Sequence, residues 1–433
     1  MDSQLSRSYD AIVVGTGPGG AATARELARA GKRVLVLEQG SAAPLKGTLG
    51  QMATMALPGR GAWLHRDASL LVSGATLGGS SALNFATAAP PPLAMFAAHG
   101  IDLAPHLAAL RAELPLAPLP DSLVGPMAAR LMAAARAAGF TWKKLDKMIR
   151  PQVCRSGCWR CVYGCPYGAK WSARDFVDEA CSHGAVLLDR SRVLRVLMEG
   201  GRAQGVEVLR EGARQQFRAP LVVLAAGGIQ SPRLLHRSGL RPHHATFFSD
   251  PVVAVMGTVD DIEGGAEVPM AAGAGFHDDG ISLADLTLPR PMYQAFALQA
   301  GRLDRINAHA RTLSVMVKIR DDVGGGIGPR WVDKRLTEGD RGRFTRGVAM
   351  ARQILEQAGA HHVFATHHFA AHPGGSVPIG APHGVDSDLR AAPGLHVCDA
   401  SVIPGAWGLP PTLTLLCLGK RLGGYLNSEA ASR

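Results

Sequence analysis

The sequence predicts an α/β chain built on a Rossmann-like parallel sheet, and three observations predict it. The chain has 433 residues, more than one core of about 100–200 residues serves, so two intertwined domains are expected. Hydrophobic residues make up 47% and charged residues 19%, the balance of a packed globule and not of a disordered chain. The N-terminal 38 residues read, in order, as strand, glycine turn, helix, strand and terminal acid.

Each element of that unit has a physical reason. Residues 9–14 form a short apolar run rich in β-branched side chains, which reads as a buried strand. Gly15, Gly17 and Gly20 follow. Gly15 permits a tight turn, Gly17 lets the backbone approach a pyrophosphate, and Gly20 lets a helix lie close on the strand. Residues 21–30 read as that helix, with free N–H groups and a positive dipole end at its start. Gly31 ends it, residues 33–37 form a second strand, and Glu38 closes the unit 18 residues beyond Gly20. An acid there accepts hydrogen bonds from ribose hydroxyls and disfavours a 2′-phosphate, so FAD or NAD is preferred over NADP.

Composition excludes several classes. No run of about 18 apolar residues occurs, so the chain is not membrane-spanning. The first residues carry no apolar secretory core, so a cytoplasmic chain is expected, or one exported with a signal-bearing partner subunit. The net charge is +11, but the cations are scattered, and no nucleic-acid module accompanies them. A solvated Arg-rich surface, or a positive face for an acidic redox partner, accounts for the charge.

Three further blocks extend the pattern. One runs from Gly74 through Gly78, Gly79 and Ser80 to Asn84. Another carries Gly227, Gly228, Ser231 and Pro232 after an apolar run at 221–226. The last holds His372, Gly375 and Ser376, then Asp399, Ala400 and Ser401, then Pro411 and Thr412. Together with the N-terminal unit, these ordered blocks resemble the glucose–methanol–choline (GMC) flavoprotein oxidoreductases, over residues 9 to about 425. Residues 251–345 carry no legible signature.

The resemblance implies FAD as cofactor, and an α+β substrate domain on a mostly antiparallel sheet inserted into the FAD domain. We place the FAD domain at 1–90, 155–250 and 385–433, and the substrate domain at 91–154 and 251–384. By the same resemblance Gly15, Gly17, Gly20 and Glu38 contact the ADP half, with Val193 near the adenine. Gly78, Gly79, Ser80 and Asn84 lie along the flavin, Asp399 and Ala400 approach the pyrophosphate or ribityl chain, and Pro411 and Thr412 precede a last helix aimed at the flavin. Residues 69–77 contain no His, so the FAD is expected to be non-covalent. His372 stands where the family has its catalytic base, a neutral imidazole suited to take a hydroxyl proton. The family's second His or Asn falls at Pro410, which has no polar side chain. His368, four residues before His372, is the candidate substitute, with Asn84 as a further hydrogen-bonding partner.

Cys154, Cys158, Cys161 and Cys165 fall within twelve residues and precede Pro166. The spacing is that of a bacterial ferredoxin run with one extra residue in the first gap. An iron–sulfur cluster, a structural zinc, disulfides and free thiols in a packed loop are the four readings. Cys181, Cys398 and Cys417 are isolated in apolar or helical contexts and read as small buried hydrophobes. Met270, Met292, Tyr293, Phe296 and Met316 favour a small apolar or alicyclic substrate, while Arg320, Arg330 and Trp331 would bind a carboxylate or cover the surface. The function expected is that of an FAD-dependent dehydrogenase oxidising a CH–OH group, or a CH–CH unit beside a carbonyl. Electrons would pass to an acceptor protein or quinone. A hydrogen-peroxide-forming oxidase and a non-redox FAD-containing lyase or decarboxylase are the alternatives.

Overall fold

The computed structural model of the chain describes residues 8–241 and 244–431; the opening residues read for an export signal lie largely outside them. Two sheets organise the fold. The first is six-stranded, in the order Arg390–Ala392, Leu395–Val397, Val222–Leu224, Ala11–Val14, Val34–Leu37, Val186–Leu188. Its strands run parallel, apart from the Arg390–Ala392 edge. The strands Ala11–Val14 and Val34–Leu37 are buried along their whole length, as a parallel sheet covered on both faces requires. The helices Pro18–Arg29 and Thr412–Ala431 pack against each other beside this sheet. A Cβ on Gly419 would lie 2.4 Å from the Gly19 carbonyl oxygen, so only glycine allows that approach.

The second sheet has nine strands and is mostly antiparallel, centred on Pro251–Thr258, Thr312–Ile319 and Ile281–Asp285. Alternation sets its two faces. Val253 and Val255 pack with Leu313, Val315 and Val317 under the helices Glu338–Gln357 and Pro126–Ala137. The opposite face carries Val252, Ala254 and Met316, toward the helix Arg290–Gln299. Residues 62–72, assigned above to the FAD segment, form the hairpin of strands Ala62–Leu64 and Leu70–Val72. That hairpin joins the second sheet, because Leu70 and Leu71 pair with Phe369 and Ala370. No helix of the described residues is long and apolar enough to cross a membrane.

Candidate active site

A single cavity of about 1970 Å³ runs between the two sheets, from the N-terminal glycine turn to the face of the antiparallel sheet. Gly15, Thr16, Gly17, Pro18 and Gly19 line one end. Gly15 has φ +98°, and a Cβ there would lie 2.2 Å from the Ala225 carbonyl oxygen. Gly20 does not line the cavity; a Cβ there would lie 2.2 Å from the Gly15 carbonyl oxygen, so it sets how closely helix and turn pack. The helix starts with Gly17 extended, Pro18 in its first turn and no side-chain cap, which leaves its positive end to whatever occupies the cavity.

Glu38 is buried at this end. Its carboxylate accepts from Thr16 Oγ1 at 2.6 Å, Thr16 N at 3.2 Å and Gly40 N at 2.8 Å. Burial raises its pKa and these bonds oppose the rise. Ser191 and Val193 line the same end, as do Asp399 and Ala400. Asp399 accepts from Gly227 N and Ser401 N, both at 2.8 Å, and from Ser231 Oγ. Positions where a Cβ would meet nothing within 4 Å, Gly17 and Gly227, open on the cavity. An uncapped helix start, a buried acid and this side-chain-free cradle fit the ADP half of FAD.

Gly79, Ser80 and Asn84 continue the wall. Gly78 stands behind it, its N–H donating to Thr16 Oγ1 at 3.0 Å and tying this loop to the glycine turn. Asn84 Nδ2 donates to Thr412 Oγ1 at 3.3 Å, and Pro411 and Thr412 line the cavity where the last helix begins. Lys170 is buried and donates to the carbonyls of Ser81, Ala82, Asn84 and Cys161. Burial pushes it down to about 8.

That lysine joins the wall to the cysteine loop. Cys161 is buried, the other three thiols are partly exposed, and none is in a disulfide. Val162 reaches the cavity. Among the described residues, the metal-ligating donors that gather within 4.8 Å are those of Asp67, His367 and His368. The four sulfurs are therefore spread wider than one tetrahedral ion needs. Burial pushes Cys398 and Cys417 up to about 12, the state of inert core thiols.

At the other end His372 lines the cavity and opens its exposed surface to it. Its Nδ1 lies 3.3 Å from Asp250 Oδ2. A carboxylate only accepts, so Nδ1 carries the proton and Nε2 is left as the basic nitrogen. Burial lowers the His372 pKa; Asp250 opposes this and Lys318 adds to it. Asp250 is itself buried, at φ +50°. It accepts from Gly408 N at 2.7 Å and gives its own N–H to Asp321 at 2.9 Å. Asp321 in turn holds Lys334 at 2.6 Å.

The structure turns His368 away from His372. Residues 366–368 are not in a strand, so the shared face expected of the pair does not form. His368 Nε2 lies 3.3 Å from Asp67, and His368 does not line the cavity. Pro410 does. The polar groups that sequence reasoning missed here are Asp250 and Lys318. Lys318 was detectable as the one charge in the apolar strand Thr312–Ile319.

Met270, Met292, Phe296, Met316, Phe369 and Leu288 make the remaining wall apolar. Tyr293 lies behind it and donates to the Arg305 carbonyl at 2.7 Å. Arg320 and Arg330 reach the cavity, whereas Trp331 is 47% exposed outside it.

Family models described as GMC oxidoreductase match residues 9–258 and 329–419. An uncharacterized GMC-type oxidoreductase of Mycobacterium tuberculosis is 29% identical over 96% of this chain and 75% of its own. A long-chain-alcohol oxidase of Arabidopsis thaliana is 25% identical over 95% of this chain and 66% of its own. The solved pyridoxine 4-oxidase from Mesorbium loti superposes with a TM-score of 0.75 over 97% of this chain and 99% of its own, at 18% identity.

Proposed function

This chain belongs to the GMC oxidoreductases, and on that premise we propose that it is an FAD-dependent dehydrogenase for the CH–OH group of a small apolar or alicyclic alcohol. One observation carries the reading: a single cavity joins the dinucleotide cradle to the free Nε2 of His372, along an apolar wall. FAD, when bound, supplies the hydride acceptor. Gly15, Gly17, Glu38, Asp399 and the helix beginning at Pro18 would hold its ADP half, and Gly79, Ser80, Asn84 and Thr412 would flank the flavin. His372 Nε2 takes the hydroxyl proton. Asp250 fixes the imidazole tautomer and balances the imidazolium that forms. The apolar wall excludes water and orients the carbon skeleton.

For the electrons we propose an acceptor protein or quinone, reached through the cysteine loop that Lys170 ties to the flavin wall, with an iron–sulfur cluster as the group the four thiols would hold. A hydrogen-peroxide-forming oxidase is the second reading, favoured by the Arabidopsis relative named an alcohol oxidase. The test mixes FAD-loaded protein anaerobically with a panel of straight-chain and alicyclic alcohols and follows bleaching of the oxidised flavin band. Bleaching is expected with apolar alcohols, and no bleaching by any of them rejects the reading. His372→Ala should lower the bleaching rate about 10²–10⁴-fold while FAD stays bound. Oxygen uptake with the best alcohol separates dehydrogenase from oxidase.

A further inference from the structure

Asp67, His367 and His368 meet outside the cavity, and the proposed reaction uses none of them. Asp67 stands in the turn between the strands Ala62–Leu64 and Leu70–Val72. His367 and His368 end the irregular stretch 366–368, just before the strand Phe369–Ala370. In a strand, neighbouring side chains would point to opposite faces. Here the irregular backbone lets both imidazoles turn to Asp67, with ring centroids 4.5 Å apart. One donor atom from each of the three residues lies within 4.8 Å of the other two. His368 Nε2 is 3.3 Å from Asp67 Oδ2, and His367 Nε2 is 3.1 Å from the Asp67 carbonyl oxygen. The other carboxylate oxygen, Oδ1, accepts from Ser69 N at 3.0 Å and from Ser69 Oγ at 2.7 Å. Those bonds orient the carboxylate and leave Oδ2 to the histidines. The side chains of His368 and Asp67 are 13% and 29% exposed, so the cluster is sheltered yet open to a solvent ion.

We propose that Asp67, His367 and His368 form a site for a divalent first-row transition metal of the zinc class, and that the metal clamps one wall of the cavity from behind. Two imidazole nitrogens and one carboxylate oxygen are a donor set such ions take, with water completing the coordination. Magnesium and calcium take oxygen ligands instead. Bonds of about 2.0–2.2 Å place the donors of a tetrahedral zinc about 3.3 Å apart, the spacing that His368 Nε2 and Asp67 Oδ2 already have. Closing the widest gap, 4.8 Å, takes a movement of about 1.5 Å, which rotation of the imidazoles supplies. Ligating carboxylates are themselves held by hydrogen bonds, and Ser69 holds Asp67 in that way. The clamp follows from the fold. The hairpin of strands Ala62–Leu64 and Leu70–Val72 is the edge of the nine-stranded sheet, and it pairs with that sheet at two positions, Leu70 with Phe369 and Leu71 with Ala370. Ala62, Trp63, Leu70 and Val72 of the hairpin line the cavity, as does Phe369, whereas the three ligands do not. A metal held by all three ties the hairpin turn to the stretch that leads through Phe369 and Ala370 to His372.

The test uses tag-free, FAD-loaded protein, freed of metal with a chelator and titrated with zinc in a calorimeter. The cysteine loop offers zinc a second place, so the variants decide. His367→Gln, His368→Gln and Asp67→Asn leave its thiols untouched. Each should weaken one zinc site at least about 10–100-fold, since losing a hydrogen bond to a ligand already costs that much, and should leave any thiol-bound zinc unchanged. Amide exchange is the second readout. Zinc should slow exchange across residues 62–72 in the wild-type protein and not in the variants. Flavin content and far-UV dichroism check that each variant folds. Should they fold poorly, cobalt bound to the wild-type protein separates the sites in difference spectra, because thiolate ligands give strong charge-transfer bands and an imidazole–carboxylate site does not. Absence of saturable zinc binding, equal zinc binding in all four proteins, or cobalt bands of the thiolate type alone overturns the proposal. Zinc binding that the variants lose, with hairpin exchange unmoved by zinc, keeps the metal site and rejects the clamp.

Discussion

His372 sits between two groups that pull its proton affinity in opposite directions. Burial is the largest influence and lowers its pKa, Asp250 raises it, and Lys318 lowers it. The imidazole must be neutral to accept a proton, so kcat/KM should rise with pH through the His372 pKa and level off above it, with a midpoint below the ordinary value of about 6.5. Asp250→Asn removes the group that raises the pKa, so the midpoint should move to lower pH even as the rate falls. Lys318→Met removes a group that lowers it, so the midpoint should move to higher pH. A pH profile of kcat/KM for the three proteins checks this, and shifts in the same direction in both variants would disprove the arrangement. Glu38 makes the second residue-scale prediction. Glu38→Ala strips the acceptor from Thr16 and Gly40 and, on the proposed reading, from the FAD ribose. Losing a hydrogen-bonded charged partner costs about 1.5–3 kcal/mol, so FAD affinity should fall about 10–100-fold, read from flavin retention on dilution. Glu38 was legible in the sequence because its spacing from the glycine turn is local. Asp250 was not, because it meets His372 only after a chain separation of 122 residues is closed.

The helix Pro126–Ala137 shows how an element can depend on a distant residue. Gly125 at its start offers no side-chain cap. Instead Glu267, buried and with its pKa raised by burial, accepts from Met127 N at 2.9 Å and Ala128 N at 3.2 Å. Glu267→Ala leaves those N–H groups unpaired and removes a negative group from the positive helix end. A lost cap costs roughly 1–2 kcal/mol. Amide exchange across the first turn of this helix should therefore quicken about 5–30-fold, and unchanged exchange would show that the cap is idle. The positions of the helices were legible in the sequence. The sequence places them at 124–139, 170–183, 340–358 and 412–427, and they occur at Pro126–Ala137, Arg174–Ser182, Glu338–Gln357 and Thr412–Ala431. The cap was not readable, because no local pattern links residues 125 and 267. His368 shows the same limit from the other side. A shared face with His372 follows only if the segment is regular, and residues 366–368 are not.

Across the whole molecule the cavity lies between a parallel sheet and an antiparallel sheet, each assembled from separated stretches of chain. The glycine units foretold the first sheet, because each carries its own strand and turn. The faces of the second were hidden, because alternation in residues 251–319 assigns a face only once the helix Glu338–Gln357 covers one of them. The cysteine loop belongs to this largest scale, since its meaning depends on what lies on each side. On one side Lys170 ties the Cys161 carbonyl to the Asn84 carbonyl of the flavin wall. On the other, Cys154, Cys158 and Cys165 are partly exposed. Lys147 and Lys170 are pushed down to about 8 by burial, and Cys161 is among the groups that would raise both. Thiolates, or an anionic iron–sulfur cluster, would therefore hold both lysines charged. The acceptor-linked reading predicts iron and acid-labile sulfide in anaerobically purified protein, about four of each for a cubane-type cluster. Cys161→Ser should then lose iron and slow electron delivery to an artificial acceptor, while anaerobic flavin bleaching by the alcohol is unchanged. Those two steps separate because the thiols lie behind the flavin wall and His372 lies at the substrate end. Protein that holds no iron and consumes oxygen at its full turnover rate would instead make the loop a packing element and the enzyme an oxidase.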